Sequence, residues 1–294
     1  MLKLSPGTPK KREVRLALRI VLAISAVLAV SAPAAFADTV QSSNWAGYAV
    51  HRSGVRFKKV VATWKQPRVD CSQYSPGYSA AWVGLGGFSA SSQALEQIGT
   101  ESDCTSAGRA VSSAWYELVP APSRGIRMRV SAGDTMFASV TVSGQRATLV
   151  LQNQTRHTTF RKTLRVSPID LSSAEWIVEA PSECVSANIC RTLPLANFGS
   201  TKFVFAGAQT TSGRSGAISD RSWDTTKINL SPSGRRFVLD GGGASDGSAS
   251  PSGLSSSGSS FKVAFQSTSI QASRIVRAAA ASVPGGYIMH AARG

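Results

Sequence analysis

Between residues 42 and 266 no stretch sustains a helical period. Apolar and polar residues alternate instead in short runs that stop at Gly, Pro or Ser. A period of two marks a strand. Many such runs separated by turn signals restrict the chain to an all-β sandwich or barrel. The runs are Ser42–Val50, Phe57–Trp64, Ser79–Leu85, Gln93–Thr100, Ala110–Leu118, Ile126–Val130, Ala138–Val142, Ala147–Leu151, Thr158–Leu164, Ser173–Glu179, Lys202–Ala208, Lys227–Leu230, Arg235–Leu239 and Phe261–Gln266. Ser143-Gly144 reads as a hairpin turn, and the Gly/Ser tract from Gly241 to Ser260 as a flexible loop. No internal repeat is evident.

The two ends follow other rules. Lys3, Lys10, Lys11, Arg12, Arg15 and Arg19 precede an apolar run from Ile20 to Val30, and Ala35-Phe36-Ala37 is a small-x-small cleavage site. Residues 1–37 therefore read as a secretory signal peptide, with an apolar run too short to be a stable membrane anchor. Residues 38–266 form the expected domain. Residues 267–294 are an appendage in which Ile270–Ala281 suits a short basic helix. The formal charge is +16, and six bases and one acid in the leader leave +11 on the remainder. The bases are scattered, with no basic helix or aromatic RNA-binding motif, so a nucleic-acid partner is not expected. Cys71, Cys104, Cys184 and Cys190 lack metal-site spacing, and export favours two disulfides. Three pairings are open; Cys71–Cys104 with Cys184–Cys190 is the one expected.

Chemistry is sought on the strand faces. In Ser173-Ala-Glu-Trp-Ile-Val-Glu179, residues Glu175, Ile177 and Glu179 share one face and Trp176 and Val178 the other. A carboxylate closing an apolar strand is costly unless it is wet, paired or used. By the same parity Trp82 and Gly84 share a face, as do Leu95, Gln97 and Gly99, and Trp115 and Glu117. Together these suit one groove with aromatic walls for an extended polymer, peptide or sugar. Glu96, opposite Gln97, is expected in solvent, and Asn153-Gln-Thr155 is a glycosylation sequon only in a glycosylating host. No Asp-Thr-Gly, Asp-Ser-Gly or HExxH is present. Gly243-Ala-Ser-Asp-Gly247 matches G-x-S-x-G without the helix a nucleophile elbow needs. No cofactor or metal is called for.

Five stretches in order carry a resemblance: Ser43-Asn-Trp-Ala-Gly47, Ala81-Trp-Val-Gly84, Ala94-Leu-Glu-Gln-Ile-Gly99, Ala114-Trp-Tyr-Glu117 and Ala174-Glu-Trp-Ile-Val-Glu179. Together they resemble the glutamic peptidases, or eqolisins, over roughly residues 42–266. The resemblance implies a lectin-like (concanavalin A-like) antiparallel sandwich of two sheets. It implies a secreted, monomeric endopeptidase acting on polypeptides. It places the catalytic pair at Gln97 and Glu179, with Trp45, Trp82, Trp115 and Glu117 lining or supporting the groove. Leu85-Gly-Gly-Phe88 departs from the fungal Ile-Asp-Gly-Asp. Two alternatives remain: a carbohydrate-binding sandwich, and a retaining glycosidase using Glu117 and Glu179.

Overall fold

A computed structural model describes residue 2 and residues 38–73, 75–89, 91–186, 189–232, 247–267 and 287–289. The expected leader, the Arg235–Leu239 strand and the Ile270–Ala281 helix lie outside the described residues. The chain divides into two units, Met1–Phe36 and Ala37–Gly294, and everything described beyond Leu2 belongs to the second.

The described residues of that unit contain strands and no helix. The strands are β1 (Asp38–Ser42), β2 (Trp45–His51), β3 (Phe57–Lys65), β4 (Ala80–Leu85), β5 (Leu95–Cys104), β6 (Ala110–Val119) and β7 (Arg124–Ile126). They continue as β8 (Thr135–Ser143), β9 (Arg146–Asn153), β10 (Thr158–Arg165), β11 (Ser173–Glu179), β12 (Ser182–Ser186) and β13 (Ile189–Thr192). The last are β14 (Ser200–Thr210), β15 (Ser215–Ala217), β16 (Asp224–Leu230), β17 (Ser248–Pro251), β18 (Phe261–Gln266) and β19 (Tyr287–Met289). One hydrogen-bonded path runs β10-β9-β8-β3-β14-β18-β17-β16-β2-β11-β4-β5-β6-β7. Its pairs are antiparallel, and β1 adds to β16 in parallel.

The path doubles back into a sandwich. Val60, Ala62, Trp64, Val140 and Leu149 from one half meet Tyr48, Val83, Ile98, Trp176 and Val178 from the other in one buried core. The Trp176 indole donates to the Val61 carbonyl at 2.8 Å and so ties β11 to β3. The alternate residues of β2, β11, β4, β5 and β6 form a second cluster: Trp45, Ala49, Ile177, Trp82, Leu95 and Trp115, joined by Cys184 and Cys190. Both expected disulfides are present, Cys71–Cys104 and Cys184–Cys190.

Several boundaries differ from expectation. The run from Ser42 breaks at Ser43-Asn44, because the Ser42 side chain captures backbone groups that a strand would turn outward. In Ile126–Val130 only Ile126 is in a ladder. The others keep the inside–outside burial of a strand without a paired neighbour. Part of the Gly/Ser tract is sheet: Ala249 is fully buried on β17 between β16 and β18, where its small side chain suits the crowding. Tyr287–Met289, in the segment expected to carry no strand, pairs with Ser182–Cys184.

Candidate active site

Register sets the site. Glu175, Gly84, Gln97 and Glu117 lie opposite one another across β11, β4, β5 and β6, forming one row. The next row is Ile177, Trp82, Gly99 and Trp115; the one after is Glu179, Ala80, Glu101 and Ser113. On the other side of β11, Ala49, Gly47 and Trp45 face Glu175, Ile177 and Glu179. Strand alternation puts these residues on one face. Gly99 lets two strands approach: a Cβ there would lie 2.3 Å from the Ala81 carbonyl oxygen and 2.6 Å from the Trp82 Cβ. Gly84 leaves open the space between Trp82 and Gln97, where a Cβ would meet both.

Glu179 is fully buried, with donors on both oxygens. The Trp82 indole donates to Oε2 at 2.7 Å and Asn44 Nδ2 to Oε1 at 3.2 Å. Burial pushes the Glu179 carboxyl well above its ordinary range. The Glu117 carboxyl adds to this by repulsion, while the Trp82, Trp45 and Asn44 donors pull it back. Gln97 is fully buried, and its Nε2 donates to Glu117 Oε2 at 2.7 Å. That bond sets the orientation of the amide, since only the nitrogen can donate. Trp45 and Trp82 pack edge to face, with ring centroids 4.9 Å apart at 76°.

The structure thus gathers Gln97, Glu117, Glu179, Trp45, Trp82 and Trp115 on one face. Glu117 accepts a hydrogen bond from Gln97, and its charge bears on Glu179. Gln97 and Glu179 stand two strands and two rows apart, with Trp82 on the diagonal between them. Asn44 has no role in the sequence reading beyond its place in a motif. The local sequence offers no signal for it: Asn44 follows two serines in a polar stretch, and its partner Glu179 lies 135 residues away.

Two further acids were misjudged or left open. Glu96 is 1% exposed, not solvated, because the face opposite Gln97 is the core between the sheets. Burial first, then repulsion from Asp170, pushes its carboxyl up to about 9. Glu175 is fully buried in the row of Gln97, and its carboxyl is pushed well above the ordinary range by burial. The Ser173 hydroxyl lies beside it without reaching hydrogen-bond geometry, and no donor among the described residues reaches either oxygen. Asn153 is also buried. Its amide donates to the Arg129 carbonyl and to Asp134, so the sequon is closed to modification in the folded protein. At the Glu175 end, Phe88 of the divergent rim stacks on His51 at 4.9 Å beside a pocket of about 510 Å³. No group of His, Cys, Asp and Glu among the described residues is arranged to hold a metal ion.

A family model described as the Peptidase A4 family matches residues 43–240. No curated protein matches the chain. Among solved structures it is similar to scytalido-glutamic peptidase with a transition state analog inhibitor. Identity there is 24%, over 76% of this chain and 98% of that one, with a TM-score of 0.61. It is also similar to SCP-B, a member of the eqolisin family of peptidases, in a complex with the tripeptide Ala-Ile-His. Identity is 22% over the same shares, with a TM-score of 0.57. At these identities the two likenesses establish the fold.

Proposed function

The chain belongs to the Peptidase A4 family, the glutamic peptidases, and on that premise we propose that Gln97 and Glu179 carry out its peptide-bond hydrolysis. Membership makes the protein a peptidase and sets aside the lectin and glycosidase alternatives. In the proposed reaction ionised Glu179 takes a proton from a water molecule as that water attacks the scissile carbonyl, then returns it to the leaving amine. The Gln97 amide donates to the developing oxyanion. Glu117 holds Gln97 by its Nε2, and Trp45, Trp82 and Trp115 wall the groove. All three polar groups are fully buried.

The observation that carries this reading is the pair of donors on Glu179, from Trp82 and Asn44. A buried carboxylate that must ionise needs such partners. A second reading has its own observation: Glu175 shares the row of Gln97 across Gly84. Without donors among the described residues, however, nothing offsets the cost of charging its carboxyl, which makes it a poor base.

The deciding experiment is digestion of a denatured protein across acidic to neutral pH. Glu179→Gln and Gln97→Ala should each lose activity while staying folded, with pepstatin and chelators without effect. A live Glu179→Gln beside a dead Glu175→Gln would transfer the base to Glu175. Export after removal of residues 1–37, and action as a monomer, belong to the same proposal. Two disulfides support it, and no helix among the described residues is long and apolar enough to cross a membrane.

A further inference from the structure

We propose that Asn44, locked by Ser42, is a positioning residue that keeps Glu179 ionisable; the inference rests on Glu179 being the base. Ser42 ends β1, where it pairs with Leu230 of β16. Its hydroxyl accepts from the Asn44 N–H at 3.3 Å and the Trp45 N–H at 3.0 Å, and donates to Asn44 Oδ1 at 3.1 Å. With its oxygen engaged there, the Asn44 amide turns its nitrogen to Glu179 Oε1. A flipped amide would set oxygen against oxygen, so the network admits one orientation. The backbone is pinned too: the Ala180 N–H donates to the Asn44 carbonyl at 2.8 Å. Ser42, Asn44 and Glu179 are all fully buried.

This arrangement does more than fill space. The Glu117 carboxyl on β6 repels the Glu179 charge, and Glu101 on β5 lies in the same row across Ala80. On the adjoining hairpin Glu183 is paired with Arg191. Among the described residues no cation contributes to the balance at Glu179, so the anion depends on neutral donors. Trp82 serves Oε2 and Asn44 serves Oε1, with the Trp45 indole as a further donor. Removing the Asn44 donor disfavours the charged form alone.

The test is a set of pH profiles of kcat and KM for wild type, Asn44→Ala, Asn44→Asp, Ser42→Ala and Glu179→Gln, with each fold checked by circular dichroism. Asn44→Ala should move the acid limb of kcat to higher pH. The rate on that limb should fall about tenfold, with the plateau and KM little changed. Asn44→Asp, which presents an acceptor in the same shape, should move it further, and Ser42→Ala less. Should Asn44→Ala not fold, Asn44→Asp carries the test. Acid limbs that superpose on wild type, with any loss equal at every pH, would overturn the proposal while a dead Glu179→Gln left the base assignment standing. An active Glu179→Gln would overturn the base assignment itself.

Discussion

Two ends of one strand treat the same side chain in opposite ways. Glu179 and Glu175 both lie on β11, on one face, and both are fully buried. Glu179 receives indole donors from Trp82 and Trp45 and an amide donor from Asn44; Glu175 receives none among the described residues. Behind Glu175, through the sheet, Glu96 is buried as well, with an oxygen that has no donor among them. Burial alone therefore does not make a carboxyl a base. It raises the cost of charge everywhere, and only supplied donors make ionisation affordable at a chosen place.

Neutralising each acid in turn tests that contrast. The largest effect belongs to Glu179→Gln, which should cut turnover by about a thousandfold or more, measured on a peptide substrate. Glu96→Gln should act on stability. The Glu96 carboxyl, ordinarily near 4.5, stands at about 9 in the folded protein. The native state therefore keeps a proton that the unfolded chain releases above about pH 4.5. That contribution to stability is whole below the unfolded value and drains away as pH rises toward the folded one. Glu96→Gln should therefore gain on wild type, by about 2–4 kcal/mol in urea unfolding at mildly alkaline pH, and nothing in acid. Equal pH slopes for the two proteins would show that Glu96 already ionises in the fold. Glu175→Gln should change least in activity, within about tenfold of wild type, because no donor among the described residues supports a charge on Glu175. A dead Glu175→Gln would erase the distinction between the two ends of β11.

Much of this was legible in the sequence. Period-two parity put Gln97 with Leu95, Trp115 with Glu117, and Glu179 with Ile177, and the register keeps each pair on one face. Export pointed to two disulfides and left three pairings open; the structure has the preferred one, Cys71–Cys104 with Cys184–Cys190. Parity failed at Glu96, because it tells which side a residue takes but not what lies on that side; there it is a second sheet, not water. Composition, not parity, misled at Ser248–Pro251, where Gly/Ser content usually means loop and here supplies the small residues a crowded strand needs. Asn44 was hidden for a different reason. Its role depends on Ser42 two residues before it and Glu179 far along the chain, and no local pattern joins them.

That distant dependence has a consequence for timing. The serine that aims the amide closes a strand whose ladder partner among the described residues ends at Leu230. A chain emerging from the ribosome therefore holds Glu179 long before it holds the scaffold that tunes it. Hydrolytic competence arrives with the last third of the domain, and a truncated or stalled product should be inert toward its neighbours.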